Sequence, residues 1–98
     1  MRIFLIVHGF VQGVGYRALV KREADRYGVN GMVMNAKDGS VHILAEADEH
    51  VLELFKDAIE VDIPKGPQVK HIEAFYEGSS GFPKDAKSYS GKFVIERE

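Results

Sequence analysis

The sequence predicts an α+β fold: a mostly antiparallel sheet carrying two helices on one face. Three observations lead there. Five short runs are rich in apolar residues in the manner of strands. Two intervening stretches carry apolar residues at helical spacing. An Asp-Gly pair between the second and third runs reads as a tight hairpin.

Each element follows in order. Residues 2–8 read as a strand, with Ile3, Leu5 and Val7 on one face and Phe4 and Ile6 on the other. Apolar side chains on both faces mark a central strand. A glycine-rich loop occupies 9–15. Residues 16–27 read as a helix whose Tyr16, Leu19, Val20, Ala24 and Tyr27 share one side, while Lys21, Arg22, Asp25 and Arg26 fill the other. Gly28 stands where a helix-terminating glycine belongs.

Residues 30–36 and 40–46 read as two strands. Lys37-Asp38-Gly39-Ser40 joins them, which predicts a tight primed turn with positive φ. Asp48 is placed to cap a second helix, with Glu49 in its first turn. Val51, Leu52, Phe55, Ala58 and Ile59 form that helix's apolar stripe. Pro64-Lys65-Gly66-Pro67 breaks the chain, and 69–77 reads as a strand. A loop at 78–90 precedes a last short strand near 91–96. The order β-α-β-β-α-β, plus a short C-terminal strand, predicts a ferredoxin-like two-layer sandwich.

At 98 residues the chain is read as one domain, 1–98. Hydrophobic residues are 45% and charged residues 29%, a globular balance. The formal net charge of -2 argues against a dedicated nucleic-acid binder. The absence of cysteine excludes thiolate chemistry. The apolar run Ile3–Val7 is too short for a signal segment or a membrane span, so a cytoplasmic location and no membrane partner are expected.

The loop at 9–15 carries the chemistry. It runs from a buried strand into a helix start, where unpaired N–H groups and a partial positive charge favour anions. Glycines allow successive N–H groups to point inward. Arg17, in the first turn, adds a planar set of donors suited to phosphate oxygens. On loop chemistry alone, a plain strand-to-helix turn is the competing reading.

Gly13-Val14-Gly15-Tyr16-Arg17-Ala18 also fits a loose dinucleotide-binding pattern, but that unit requires parallel strands, and the chain instead turns back at Asp38-Gly39. No G-x-x-x-x-G-K-[ST] sequence is present. His8, His42, His50 and His71 are scattered, with no ligand-pair spacing, so no metal site is expected.

Gly9-Phe10-Val11-Gln12-Gly13-Val14-Gly15-Tyr16-Arg17 closely resembles the acylphosphatase signature G-x-V-Q-G-V-x-F-R. Gly28-Val29-Asn30-Gly31-Met32-Val33-Met34-Asn35 resembles that family's G-V-x-G-W-V-R-N, and Asp38-Gly39-Ser40-Val41 its D-G-S-V. The resemblance implies hydrolysis of the carboxyl-phosphate bond of small acyl phosphates, with no cofactor. Inorganic phosphate is then both product and inhibitor. The family's phosphate-binding arginine falls on Arg17 and its water-orienting asparagine on Asn35. The N–H groups of Val11, Gln12, Gly13, Val14, Gly15 and Tyr16 are expected to hold phosphoryl oxygens beside Arg17.

Four positions depart from the pattern. Met32 and Met34 replace Trp and Arg, Tyr16 replaces Phe, and Ala47 stands where many members have Gly. The Tyr16 hydroxyl needs a partner or water. Without the resemblance, Asn35 also fits an ordinary polar residue at a strand end. The alternative function is a non-catalytic module of the same fold that binds a phosphorylated or carbamoylated ligand.

Overall fold

The computed structural model describes residues 1–97. The elements are β1 (Arg2–Phe10), α1 (Tyr16–Tyr27), β2 (Asn30–Asn35), β3 (Val41–Glu46), α2 (Glu49–Ile59), β4 (Gln68–Tyr76) and β5 (Phe93–Ile95). They form one five-stranded sheet in the order β4-β1-β3-β2-β5. The pairings β1–β3, β1–β4 and β2–β3 are antiparallel, and β2–β5 is parallel. This is the ferredoxin-like α+β sandwich. No helix among the described residues is long and apolar enough to cross a membrane.

Side-chain alternation along β1 divides the core in two. Ile3, Leu5 and Val7 are buried with Val20 and Ala24 of α1 and Leu52, Phe55 and Ile59 of α2. Both helices therefore cover one face, because each presents an apolar stripe that only this face can bury. Phe4 points the other way and packs with Leu44 and Phe82. Phe82 comes from the long connection between β4 and β5. Arg2 fastens that connection: its guanidinium meets Glu77 at 2.6 Å, donates to the Lys87 carbonyl at 3.2 Å and lies over the Phe82 ring at 5.2 Å.

α1 begins and ends where its periodicity predicts. The Val29 N–H donates to the Ala24 carbonyl at 2.8 Å, closing the helix around Gly28. Two local readings need correction. Asp48 occupies the N-cap position of α2, but its side chain makes no capping bond. The hairpin is also wider than a two-residue primed turn. The Ala36 N–H donates to Ser40 O at 2.9 Å, and only Gly39 there has positive φ, at 94°. The Asp38 carboxylate accepts from the Ser40 N–H at 2.9 Å and from its hydroxyl at 2.6 Å. These bonds draw Ser40 into the turn, so β3 starts at Val41. They also hold the Asp38 carboxyl below its ordinary range.

The end of β1 steers the chain into the loop. Register shifts between His8 and Gly9 against β4. A Cβ on Gly9 would lie 2.3 Å from the Gln68 carbonyl oxygen, so only glycine permits that approach.

Candidate active site

The loop at 11–15 ends in an α1 that has no side-chain cap. Gly13 and Gly15 have φ of 75° and 80°, while Gln12 before them and Val14 between them are not at positive φ. Alternation of this sign curls a backbone so that consecutive N–H groups converge on a concavity suited to an anion. Among the described residues, no protein group accepts from the N–H groups of Gln12 to Ala18. The first bond of the helix is Leu19 N–H to Gly15 O, at 3.1 Å. The loop thus presents unused donors at the positive end of a helix.

These donors open on a cleft of about 230 Å³ lined by Val11, Gly13, Gly15, Tyr16, Arg17 and Ala18, and by Ile95 and Arg97 beyond them. Arg17 is half-buried and makes no side-chain hydrogen bond or ion pair among the described residues. Its guanidinium charge is available to a ligand. No carboxylate lines the cleft among the described residues.

Two loop residues face elsewhere. The Gln12 side chain leaves the cleft and donates to the Ala36 carbonyl at 2.7 Å and to the Ser40 carbonyl at 2.8 Å. It ties the loop to the β2–β3 hairpin. The Tyr16 side chain is 1% exposed and runs into the core. Its hydroxyl donates to Ile59 O at 2.8 Å, at the end of α2, a carbonyl that also accepts from the Val61 N–H at 3.0 Å. Burial, and then the nearby Glu60 charge, push this hydroxyl's pKa up. The partner required by the Phe-to-Tyr departure is therefore Ile59.

Asn35 ends β2, one residue before the Ala36 carbonyl held by Gln12. It does not line the cleft itself. Its Oδ1 is buried and has no hydrogen-bond partner. A buried acceptor left unmatched is rare, because it loses water without replacement.

A larger cleft, of about 400 Å³, lies on the opposite face of the sheet, bordered by Phe4, Met34, His42, Lys87 and Glu96. Its walls mix apolar groups with both signs of charge. The loop at 11–15, with its unused N–H groups, borders the smaller cleft and not this one.

The acylphosphatase family profile matches residues 3–85. The chain belongs to the acylphosphatase family. An acylphosphatase of Listeria welshimeri is 45% identical over 75 residues, spanning 76% of this chain and 80% of that protein. The solved acylphosphatase of Bacillus subtilis is 33% identical, with a TM-score of 0.75, and 97% of each chain is covered. The structure of T. kodakarensis HypF is 27% identical with a TM-score of 0.71, covering 100% of this chain and 12% of that one. Acylphosphatase membership and fold together support acyl-phosphate hydrolysis as the activity.

As an acylphosphatase, the chain keeps every loop position of the signature. Of its departures, Met32 packs against the Phe4–Leu44–Phe82 cluster, and Met34 borders the larger cleft, away from the loop. Sequence reasoning missed three features. Gln12 contributes a side-chain tie as well as an N–H. His8 and His71 stack at 5.7 Å, and His8 meets Glu73 at 2.6 Å, although no metal-competent group of residues exists among those described. Arg97, beyond β5, lines the same cleft as the loop and Arg17. Nothing local marks a residue two places beyond the short strand β5 as a neighbour of that loop.

Proposed function

We propose that this acylphosphatase holds the phosphoryl group of small acyl phosphates on the loop N–H groups and Arg17, and that Asn35 orients the attacking water. The observation that carries the reading is the run of unpartnered N–H groups opening, with Arg17, on one cleft. The unmatched Asn35 Oδ1 supports the second role, since it is an acceptor for a water proton. The Gln12 bonds to Ala36 and Ser40 keep Asn35's strand end in register with the loop.

The chemistry needs little more. Water attacks phosphorus in line, the P–O bond to the acyl group breaks, and its electron pair leaves on a carboxylate. A carboxylate is a weak base, so no general acid is required. A phosphoryl oxygen accepts the water's proton. Charge developing on the phosphoryl oxygens is met by donors fixed in place before reaction, so catalysis is positioning and electrostatics. No step runs through a metal.

Phosphate release from acetyl or benzoyl phosphate in the presence of a chelator tests this. Release above the uncatalysed rate is expected, and its absence would refute the hydrolase reading. Inorganic phosphate is expected to inhibit competitively, because it presents the same oxygens.

A further inference from the structure

The cleft beside the loop is bordered by two arginines, Arg17 from α1 and Arg97 from beyond β5, and by no acid among the described residues. The pairing of β5 explains how Arg97 arrives. Gly31, Met32 and Val33 pair in parallel with Phe93, Val94 and Ile95. The Glu96 N–H then donates to the Val33 carbonyl at 2.9 Å and carries the chain past the end of the strand. Two residues beyond the Val33–Ile95 pair stand Asn35 on one side and Arg97 on the other. Alternation places Phe93 in the helix-side core and Ile95 on the cleft, so Arg97 follows on the same side.

From this we propose that Arg97 is a second phosphate-binding guanidinium, which closes the open side of the cleft and shares the phosphoryl oxygens with Arg17. The inference rests on the phosphoryl-holding part of the proposed function. Two cations on one small cleft repel each other unless an anion lies between them. The phosphoryl group of an acyl phosphate, and inorganic phosphate itself, carry about two negative charges near neutral pH. Two planar donor forks match that charge as one cannot. Arg97 also borders the larger cleft on the other face, beside Glu96 and Asp85. Engagement there instead is the outcome that the experiment must separate.

Inorganic phosphate is titrated calorimetrically, at low fixed ionic strength, into the full chain and into Arg97→Gln, Arg97→Lys and Lys92→Gln. Lys92 is exposed on the approach to β5 and lines neither cleft, so its variant controls for charge alone. Arg97→Gln is expected to weaken phosphate binding about tenfold, the effect of losing one charge-assisted contact. Arg97→Lys should fall between, because it keeps the charge and loses the fork. Lys92→Gln should bind like the parent chain. Unchanged binding by Arg97→Gln, or equal loss in both Gln variants, overturns the proposal. No phosphate binding by the parent chain overturns it together with the anion loop. Weakened binding by Arg97→Gln in a protein that hydrolyses no acyl phosphate leaves this inference standing and removes the hydrolase reading. A loss seen only with acyl phosphates that carry a second anionic group, phosphate affinity being unchanged, would assign Arg97 to the acyl end and overturn it.

Discussion

The connection at 11–15 and the connection at 77–92 both contain glycines and lack regular structure, yet they are held in opposite ways. The second is packed down. Phe82 is buried on Phe4 and Leu44, and Arg2 meets the connection through an ion pair, a backbone carbonyl and an aromatic face. The first is held by side chains, with Val11 buried in the core, Gln12 bonded to the hairpin and Tyr16 bonded to α2. Its own N–H groups are left unused. The comparison teaches where binding capacity comes from. A loop that satisfies itself adds stability and has nothing left to offer a ligand. A loop fixed from outside keeps its donors for one.

The sharpest break of this contrast is Arg17→Gln. Turnover is expected to fall about a thousandfold, the upper range for removing one donor to a developing anion. Phosphate affinity should weaken with it, while the urea midpoint stays near that of the parent, because Arg17 has no protein partner among the described residues. A large loss of stability would show that Arg17 is structural. Phe82→Ala makes the opposite prediction. It should cost about 3 kcal/mol of stability, the lower figure for truncating a buried Phe. Below the unfolding transition, kcat should be unchanged, and a fall in kcat would mean that the two connections are coupled.

Asn35→Ala comes next. If Asn35 orients water, kcat should fall about a hundredfold with little change in KM. Stability should hold within about 0.5 kcal/mol, since the lost acceptor had no partner. Full turnover in this variant would remove the water-orienting role.

The smallest effect belongs to Tyr16→Phe, which should cost about 1 kcal/mol near neutral pH by removing one of the two hydrogen bonds that Ile59 O accepts, the Val61 N–H remaining. The Tyr16 pKa is raised in the fold, and unfolded tyrosine titrates near pH ~10. The stability from this hydroxyl is therefore complete below pH ~10 and declines as pH rises above it. The Phe variant should lack that part of the alkaline loss, as urea midpoints at about pH 7 and about pH 11 would read.

What was legible in the sequence follows the range of the forces. The stripe of α1 and the glycine after it act within a few residues, and Tyr16–Tyr27 is the helix found. The alternation of β1 assigned Phe4 to the face opposite Leu5. The Asp-Gly pair at 38–39 marks the turn, and the competing bonds of Asp38 to Ser40 widen it. The purpose of 78–90 was not legible, because Arg2, Phe4 and Leu44 fix it from far away in the chain. Arg17 stood out through loop chemistry, whereas Asn35 depended on the resemblance. Arg97 was invisible because a parallel strand pairing, which no local pattern announces, brings it to the cleft.

That pairing has a consequence for motion. β5 is three residues long and, among the described residues, joins the sheet only through β2 with no further strand outside it. Its anchors are the buried Phe93 ring and a bond of 3.0 Å from Lys21 Nζ to the Phe93 carbonyl. Such an edge element opens at a lower free energy than the whole domain, and its amides are expected to exchange with solvent ahead of those of β1 and β3. Each opening withdraws Arg97 while the loop and Arg17 stay in place. On the proposed two-arginine site, such breathing would alternate the cleft between a form with two arginines and a form with one, giving bound phosphate an exit without unfolding the domain.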